Sequence, residues 1–350
     1  MTTLSTRAAA PILALAVVVT TAVGACSTAP LDVGSSGASP SSVSLPDGPR
    51  TARLPSADPV PVSPTPVPQL PVTVTTADNR RVTVIDVSRI VALDRYGTYG
   101  TAVFALGLGR NLVGRDIATK FPAAASIPVV TTGGTDANAE AIIALRPTVV
   151  LTDASLPSAN VLTDQLTAAG IPVVTGTAER TVAGTDAQLR AVATALGIPA
   201  AGDALVARTD SQIAAARALV PRDADRPRIA FVYARGTGLL ILGGPGSGAD
   251  SLIDTVGGQD AGTAAGLTDA FTSLTSEGLI KSRPDVLLMM TDGLASVGGV
   301  DGLEKIPGVS ETPAGRDRRI IDMDDGELLS FGARTGDVAV ALARTLYGRP

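Results

Sequence analysis

Two stretches of this chain carry the same phrase. Glu140-Ala141-Ile142-Ile143-Ala144-Leu145-Arg146-Pro147-Thr148-Val149-Val150-Leu151 is matched by Glu277-Gly278-Leu279-Ile280-Lys281-Ser282-Arg283-Pro284-Asp285-Val286-Leu287-Leu288. The Glu, the apolar pair, Arg-Pro and the following Val fall at identical spacing. Each copy reads as a short helix, a Pro stop and a buried strand, because Pro cannot continue a helix. A chain that uses this unit twice is constrained towards two lobes of similar design.

The same alternation continues around each copy. Apolar runs at 89–93, 148–151 and 171–174 are short enough for buried strands, with helical stretches at 101–108 and 138–145. A second series runs through 228–232, 285–289 and 319–321 and ends in a helix near 337–346. Strands alternating with helices imply mainly parallel sheets covered on both faces. Between the series, 181–220 has no convincing strand, and Leu205, Val206, Ile213, Ala216 and Val220 fall near helical spacing. A helix of about 20 residues reaches about 30 Å, enough for a stiff strut. The expected fold is α/β. Two α/β lobes with mainly parallel central sheets, 73–180 and 221–350, are joined by a connector at 181–220 that holds a single long helix.

The N-terminal part reads as an address. Arg7 precedes an apolar run over 11–19 and then small residues up to Cys26. This is the layout of a secretory signal peptide, and the run is short for a membrane span. Val23-Gly24-Ala25-Cys26 resembles a bacterial lipobox, so 1–25 is read as a lipoprotein signal peptide and Cys26 as the lipidated residue. From 26 to 72 the chain is rich in Ser, Pro and Gly. Pro denies this stretch ladder hydrogen bonds, and it reads as a disordered tether. The expected location is the outer face of the cytoplasmic membrane, through an N-terminal lipid anchor.

Composition narrows the chemistry. The 350 residues contain no His, which removes Ser-His-Asp and Cys-His machinery and every His-ligated metal site. Any metal must be held by Tyr, Asp, Glu or Met, or by a cofactor. Cys26 is the only Cys, so no intrachain disulfide forms, but 45% apolar residues suffice for a core. A net charge of −5, with acids and bases interspersed, and the lack of Trp argue against a nucleic-acid partner. No nucleophile with a base can be assembled, so no catalytic residue and no enzyme is expected. Gly243-Gly244-Pro245-Gly246-Ser247-Gly248 lacks the Gly-Lys-Ser/Thr ending of a phosphate loop and reads as a loop opening the helix at Ala249. Asp322, Asp324, Asp325 and Glu327 fit no calcium-loop spacing and read as a solvated turn.

Several stretches resemble the substrate-binding lipoproteins of bacterial iron-chelate and haem ABC importers, specifically the HmuT-like haemin-binding members. They are Phe104-Ala105-Leu106-Gly107-Leu108-Gly109, Val113-Gly114-Arg115-Asp116, Gly133-Gly134-Thr135-Asp136-Ala137-Asn138-Ala139-Glu140 and Phe231-Val232-Tyr233-Ala234-Arg235-Gly236, then Gly248-Ala249-Asp250-Ser251-Leu252-Ile253 and Leu328-Leu329-Ser330-Phe331-Gly332. The resemblance covers about 86–350. It implies a monomer of two lobes on one long helix, with the ligand cleft between the lobes and haem b as the transported ligand. It also implies a Glu on each lobe that docks onto Arg residues of a membrane permease, which is served by its own ATPase. Glu140 and Glu277 match those positions. Members typically carry a His after the glycines, where this chain has Thr135, a poor iron ligand that can still hydrogen-bond a bound water.

Tyr233 ends an apolar strand before Gly236-Thr237-Gly238, and in parallel α/β folds ligands bind outside the carboxyl ends of strands. Residues two apart share a face, so Arg235 can sit beside the Tyr233 oxygen and favour its phenolate, an established ligand of ferric haem iron. The bland alternative is a core Tyr with a surface Arg. Tyr96 follows the first strand of the N-terminal lobe and either faces the cleft from the opposite side or packs locally. Met290 follows a buried strand and is either a core residue or a contact of the cargo. The same outline also admits a ferric siderophore or a corrinoid as cargo, or a surface scaffold that has lost ligand binding.

Overall fold

Two sheets organise the chain, one in each lobe. The structure, a computed structural model, describes residues 45–132, 136–222 and 225–348. The signal segment 1–25, Cys26 and Thr135 lie outside the described residues.

In the N-terminal lobe four parallel strands run in the order Leu112–Arg115, Ile90–Leu93, Val149–Asp153, Val173–Gly176. Successive side chains of a strand point to opposite faces. Here both faces are apolar: Ile90, Ala92, Val149 and Leu151 enter one core, Val91, Leu93 and Val150 the other. Helices Thr98–Ala105 and Thr185–Ala195 cover the first face, and Ala139–Ala144 and Ala159–Ala168 the second.

The C-terminal lobe follows the same scheme. Strands Arg50–Thr51, Ile320–Met323, Val286–Met290 and Arg228–Arg235 are parallel, and Leu239–Gly243 and Phe271–Ser273 continue the sheet antiparallel. Ile229, Phe231, Val286 and Leu288 face one core, while Ala230, Val232, Leu287 and Met289 face the other.

The two repeated phrases fold alike. Helices Ala139–Ala144 and Ser276–Ser282 both start at a side-chain cap: Asn138 accepts from the Ala141 N–H and Thr275 from the Gly278 N–H. Each phrase reaches its Pro through an arginine in the left-handed region, Arg146 at φ 46° and Arg283 at φ 44°. That conformation is uncommon for a residue with a side chain. Its occurrence at both matched positions makes the two units backbone equivalents as well as sequence equivalents.

Between the lobes, Thr185–Ala195 leads into the 21-residue helix Pro199–Leu219. Pro199 suits its first turn, where an N–H has no intrahelical partner. This helix belongs to both cores, through Leu205 and Val206 in the N-terminal lobe and Ile213 and Ala216 in the C-terminal lobe. At 1.5 Å per residue it spans about 30 Å. The last helix, Thr335–Tyr347, lies against it at Gly336, where a Cβ would stand 2.5 Å from Gln212 Cβ.

Within the segment 26–72, the described residues 45–72 depart from the expected tether. They are strapped across both lobes. Arg50–Thr51 adds an edge strand to the C-terminal sheet, and the Ala52 N–H donates to the Asp322 carbonyl at 2.7 Å. Arg334 donates to the carbonyls of Ser56 and Ala57, and Arg208 of the connector helix to that of Val60. The Val62 N–H then donates to the Ala105 carbonyl in the N-terminal lobe, and the Gln69 N–H to that of Gly197. A Pro-rich segment lacks donors for a ladder of its own, but its carbonyls remain strong acceptors. Arginines of the body supply the donors.

Candidate functional site

The strand Arg228–Arg235 carries the first half of the site. It runs two residues past Tyr233, because Arg235 pairs with Leu239 across a hairpin whose turn includes Gly236 at φ 61°. Alternation puts Tyr233 on the same face as Ile229 and Phe231, half-buried against their core. Arg235 shares that face. Its guanidinium lies over the Tyr233 ring, 4.6 Å from the centroid. One nitrogen donates to Asp325 at 2.5 Å and another to the Ala234 carbonyl at 2.8 Å. A nearly buried carboxylate therefore orients the cation on the ring.

The acidic stretch read as a solvated turn is instead a bonded edge of the cleft. Asp322 accepts from Thr51 at 2.9 Å and from Thr291 at 2.6 Å. Asp325 accepts from Arg235 and from the Asp292 N–H at 2.8 Å, and Glu327 pairs with Arg334 at 3.3 Å. Lys120 reaches this edge from the N-terminal lobe, 3.0 Å from Asp292 and 3.9 Å from Asp324. Burial works to lower the pKa of its ammonium, but the hydrogen bond to Asp292 and the neighbouring carboxylates raise it overall. Thr98 donates to the Ser330 carbonyl nearby, so the lobes touch at more than one point.

Three aspartates close the N-terminal side. Asp94, Asp116 and Asp153 stand at the carboxyl ends of three adjacent parallel strands, each at most 1% exposed. Arg180 bonds Asp153 at 2.5 Å and Asp94 at 3.4 Å. Asp116 accepts the N–H groups of Asp94 and Thr119 at 3.1 and 2.7 Å. Burial and then the charge of Asp94 push its carboxyl up to about 7. The Tyr96 N–H donates to Asp94 at 2.7 Å, and Arg180 lies 5.1 Å from the centroid of the Tyr96 ring. Although Tyr96 belongs to the N-terminal lobe, its ring packs against the same C-terminal core that Tyr233 borders. Burial raises the pKa of its phenol against the opposing charges of Arg95 and Arg180.

Sequence reasoning singled out Tyr233, Arg235 and Tyr96 but passed over Arg180, Asp153 and Lys120. A signal was present for the aspartates, since three strands end in Leu93-Asp94, Arg115-Asp116 and Thr152-Asp153. Arg180 and Lys120 carry no local signal. Met290 is 7% exposed and packs in the core on the Tyr233 side of the sheet, so it underlies the site. Glu140 and Glu277 are exposed in the first turns of the two matched helices. In the 243–248 loop the Gly246 and Gly248 N–H groups already donate to Asp250, which leaves them no phosphate to bind. A cavity of about 220 Å³ under the strap is lined by Arg208, Arg334, Asp58 and Asp337. It falls below the usual range for drug-sized ligands, about 300–1,000 Å³.

The family described as periplasmic binding protein matches residues 90–326. Among solved structures, the chain is similar to the heme binding protein HmuT, with a TM-score of 0.81 and 39% identity over 86% of this chain and 98% of that one. Solved variants of HmuT replace a Tyr and an Arg two positions apart, and a His. The chain is also similar to the apo form of the periplasmic heme-binding protein RhuT from Roseiflexus sp. RS-1, with a TM-score of 0.71 and 38% identity over 75% and 99% of the two chains. The periplasmic heme-binding protein BhuT in complex with two hemes gives a TM-score of 0.66 and 33% identity over 74% and 98%. A search of curated proteins finds no match.

Proposed function

This chain belongs to the periplasmic binding protein family, and on that premise we propose that it is the haem-binding component of an ABC-type importer. It captures haem b between its lobes and delivers it to a membrane permease served by an ATPase. The observation that carries this reading is the Tyr233–Arg235 pair at the carboxyl end of its strand. A phenolate is a hard anionic ligand for ferric haem iron, and the guanidinium stacked on the ring holds Tyr233 in place at the strand end. The similar proteins named for heme, among them one whose solved variants alter a Tyr and an Arg at this spacing, support the same assignment.

The cargo iron is held mainly through one phenolate, because Thr135 occupies the position of the usual His. The iron is then five-coordinate and high spin, or carries a water opposite Tyr233. Tyr96 and Arg235 complete the walls of the cleft, with Met290 packed beneath. A ferric siderophore fills its own iron coordination and has no use for Tyr233, which favours haem over that cargo. The deciding experiment is the visible and electron paramagnetic resonance spectrum of the purified protein with haemin. Tyr233→Ala should change both spectra and speed haem loss. Spectra that respond only to Tyr96→Ala move the ligand to the N-terminal lobe, and a wild-type protein that takes up no haemin ends the haem reading.

The chain acts as a monomer outside the cytoplasmic membrane, anchored by lipid on Cys26. Cys26→Ala should release it into the soluble fraction, and retention of that variant in membranes at high salt refutes the anchor. Glu140 and Glu277 serve as the two docking charges for the permease. Their exposure at equivalent positions of equivalent helices supports this role.

A further inference from the structure

Each lobe brings one Tyr–Arg stack to the cleft. Tyr233 lies under Arg235 and Tyr96 under Arg180, at 4.6 and 5.1 Å from ring centroid to guanidinium, and both rings border the same apolar cluster. The first pair comes from a single strand. The second is assembled by tertiary structure, and its arginine is the more deeply buried, with a side chain 5% exposed against 40% for Arg235.

A buried guanidinium is costly unless it is paired. Arg180 meets most of that demand through its two terminal nitrogens, with the buried carboxylates of Asp94 and Asp153 and the carbonyls of Thr177 and Glu179 at 3.4 and 3.1 Å, while its Nε has no hydrogen-bond partner. One oxygen of Asp94 takes both the Tyr96 N–H and the Arg180 guanidinium. The same carboxylate therefore anchors the backbone of Tyr96 and the cation that lies over its ring.

The other side of Arg180 faces the C-terminal lobe. Gly248, at φ +86°, precedes helix Ala249–Thr255, and a Cβ on it would stand 3.1 Å from the Arg180 carbonyl oxygen and 2.9 Å from Phe331 Cε2. Two residues on, the Val182 N–H donates to Ser251 of that helix at 2.8 Å. Arg180 thus stands where the chain leaving the N-terminal sheet first meets the opposite lobe.

We propose that Arg180 is a positioning residue of the cargo site. With Asp94 and Asp153 it fixes the Tyr96 ring at the cleft, and its seat against Gly248 couples that placement to lobe closure. The role in cargo retention rests on the haem reading above. The positioning itself is testable without cargo.

The chain has four Tyr and no Trp, so 3-fluorotyrosine labelling yields a simple fluorine spectrum in which Tyr96→Phe assigns one resonance. In cargo-free protein, Arg180→Lys should shift and broaden the Tyr96 resonance and leave that of Tyr233 in place. Gly248→Ala, made on the opposite lobe, should shift the same resonance. Removing Arg180 alone strands two buried carboxylates, so the triple variant Arg180→Met, Asp94→Asn, Asp153→Asn, which removes all three charges together, is the second test. Its haem should transfer to an acceptor globin faster by about threefold to thirtyfold, the range of cation–π contacts from exposed to desolvated. Adding Tyr96→Phe to the triple variant should speed transfer no further, because coupled residues are not additive. An unmoved Tyr96 resonance in Arg180→Lys, or additive transfer rates, overturns the proposal. If the wild-type protein takes up no haemin, the cargo reading falls, while the cargo-free spectra still decide whether Arg180 positions Tyr96.

Discussion

Lys120 of the N-terminal lobe and Asp292 of the C-terminal lobe meet at 3.0 Å across the cleft. Asp324 stands behind them at 3.9 Å. The side chains are 36% and 67% exposed, and exposed pairs contribute only about 0.2–1 kcal/mol. The bridge therefore biases closure and does not lock it. Lys120→Ala should speed haem loss by about 1.5-fold to fivefold and enlarge the radius of gyration of cargo-free protein in X-ray scattering. Both effects should fade at high salt, where exposed charges are screened. Equal rates and equal scattering at low salt show that the bridge plays no part in closure.

Docking through Glu140 and Glu277 predicts a separation of two measurements. Charge reversal to Lys at either position should lower permease-stimulated ATP hydrolysis and haem uptake, because a repulsive contact replaces an attractive one. Haem affinity should change by less than about twofold, since both side chains are exposed in the first turns of their helices. A large loss of haem affinity assigns these residues to the fold or the site instead.

The strap depends on Arg334, which is 4% exposed and donates to the carbonyls of Ser56 and Ala57 while pairing with Glu327. Arg334→Ala leaves those carbonyls without this donor and the half-buried Glu327 without its cation. A loss of about 2–4 kcal/mol in unfolding free energy is expected. Limited proteolysis should cut the variant within 50–70 while the rest of the chain stays intact. A variant with wild-type stability and no new cleavage means the strap holds by other contacts.

Asp116 gives the fold a pH dependence of definite sign. Its carboxyl titrates near 7 in the folded protein against an ordinary value of 3.8, so between these values the folded state holds a proton that the unfolded state has lost. Stability must then fall as pH rises through that window, by up to about 1.4 kcal/mol per pH unit from this group. Above pH 7 the contribution levels off. Comparing denaturant unfolding of wild type and Asp116→Asn from pH 5 to pH 8 isolates it, because the amide cannot titrate. A difference between the two proteins that stays constant with pH contradicts the assignment.

The parts of this protein that obey local rules were legible in its consecutive residues. The repeated Glu-to-Pro phrase, the apolar runs and the long helical spacing at 205–220 specified two α/β lobes and a strut, because strand burial and helix period are written in consecutive residues. Tyr233 and Arg235 were legible as a pair for the same reason, since alternation along one strand puts them on one face. Features that depend on partners distant in sequence emerged only once the chain had folded. Pro-rich residues after 45 became a strap because arginines from the connector and the last helix reach their carbonyls. Arg235 turned onto the Tyr233 ring because Asp325 from another strand's loop takes its guanidinium. Arg180 found Tyr96 because two strand-end aspartates pull it into the interior, and no pattern in the sequence records where a buried charge finds its counter-charge.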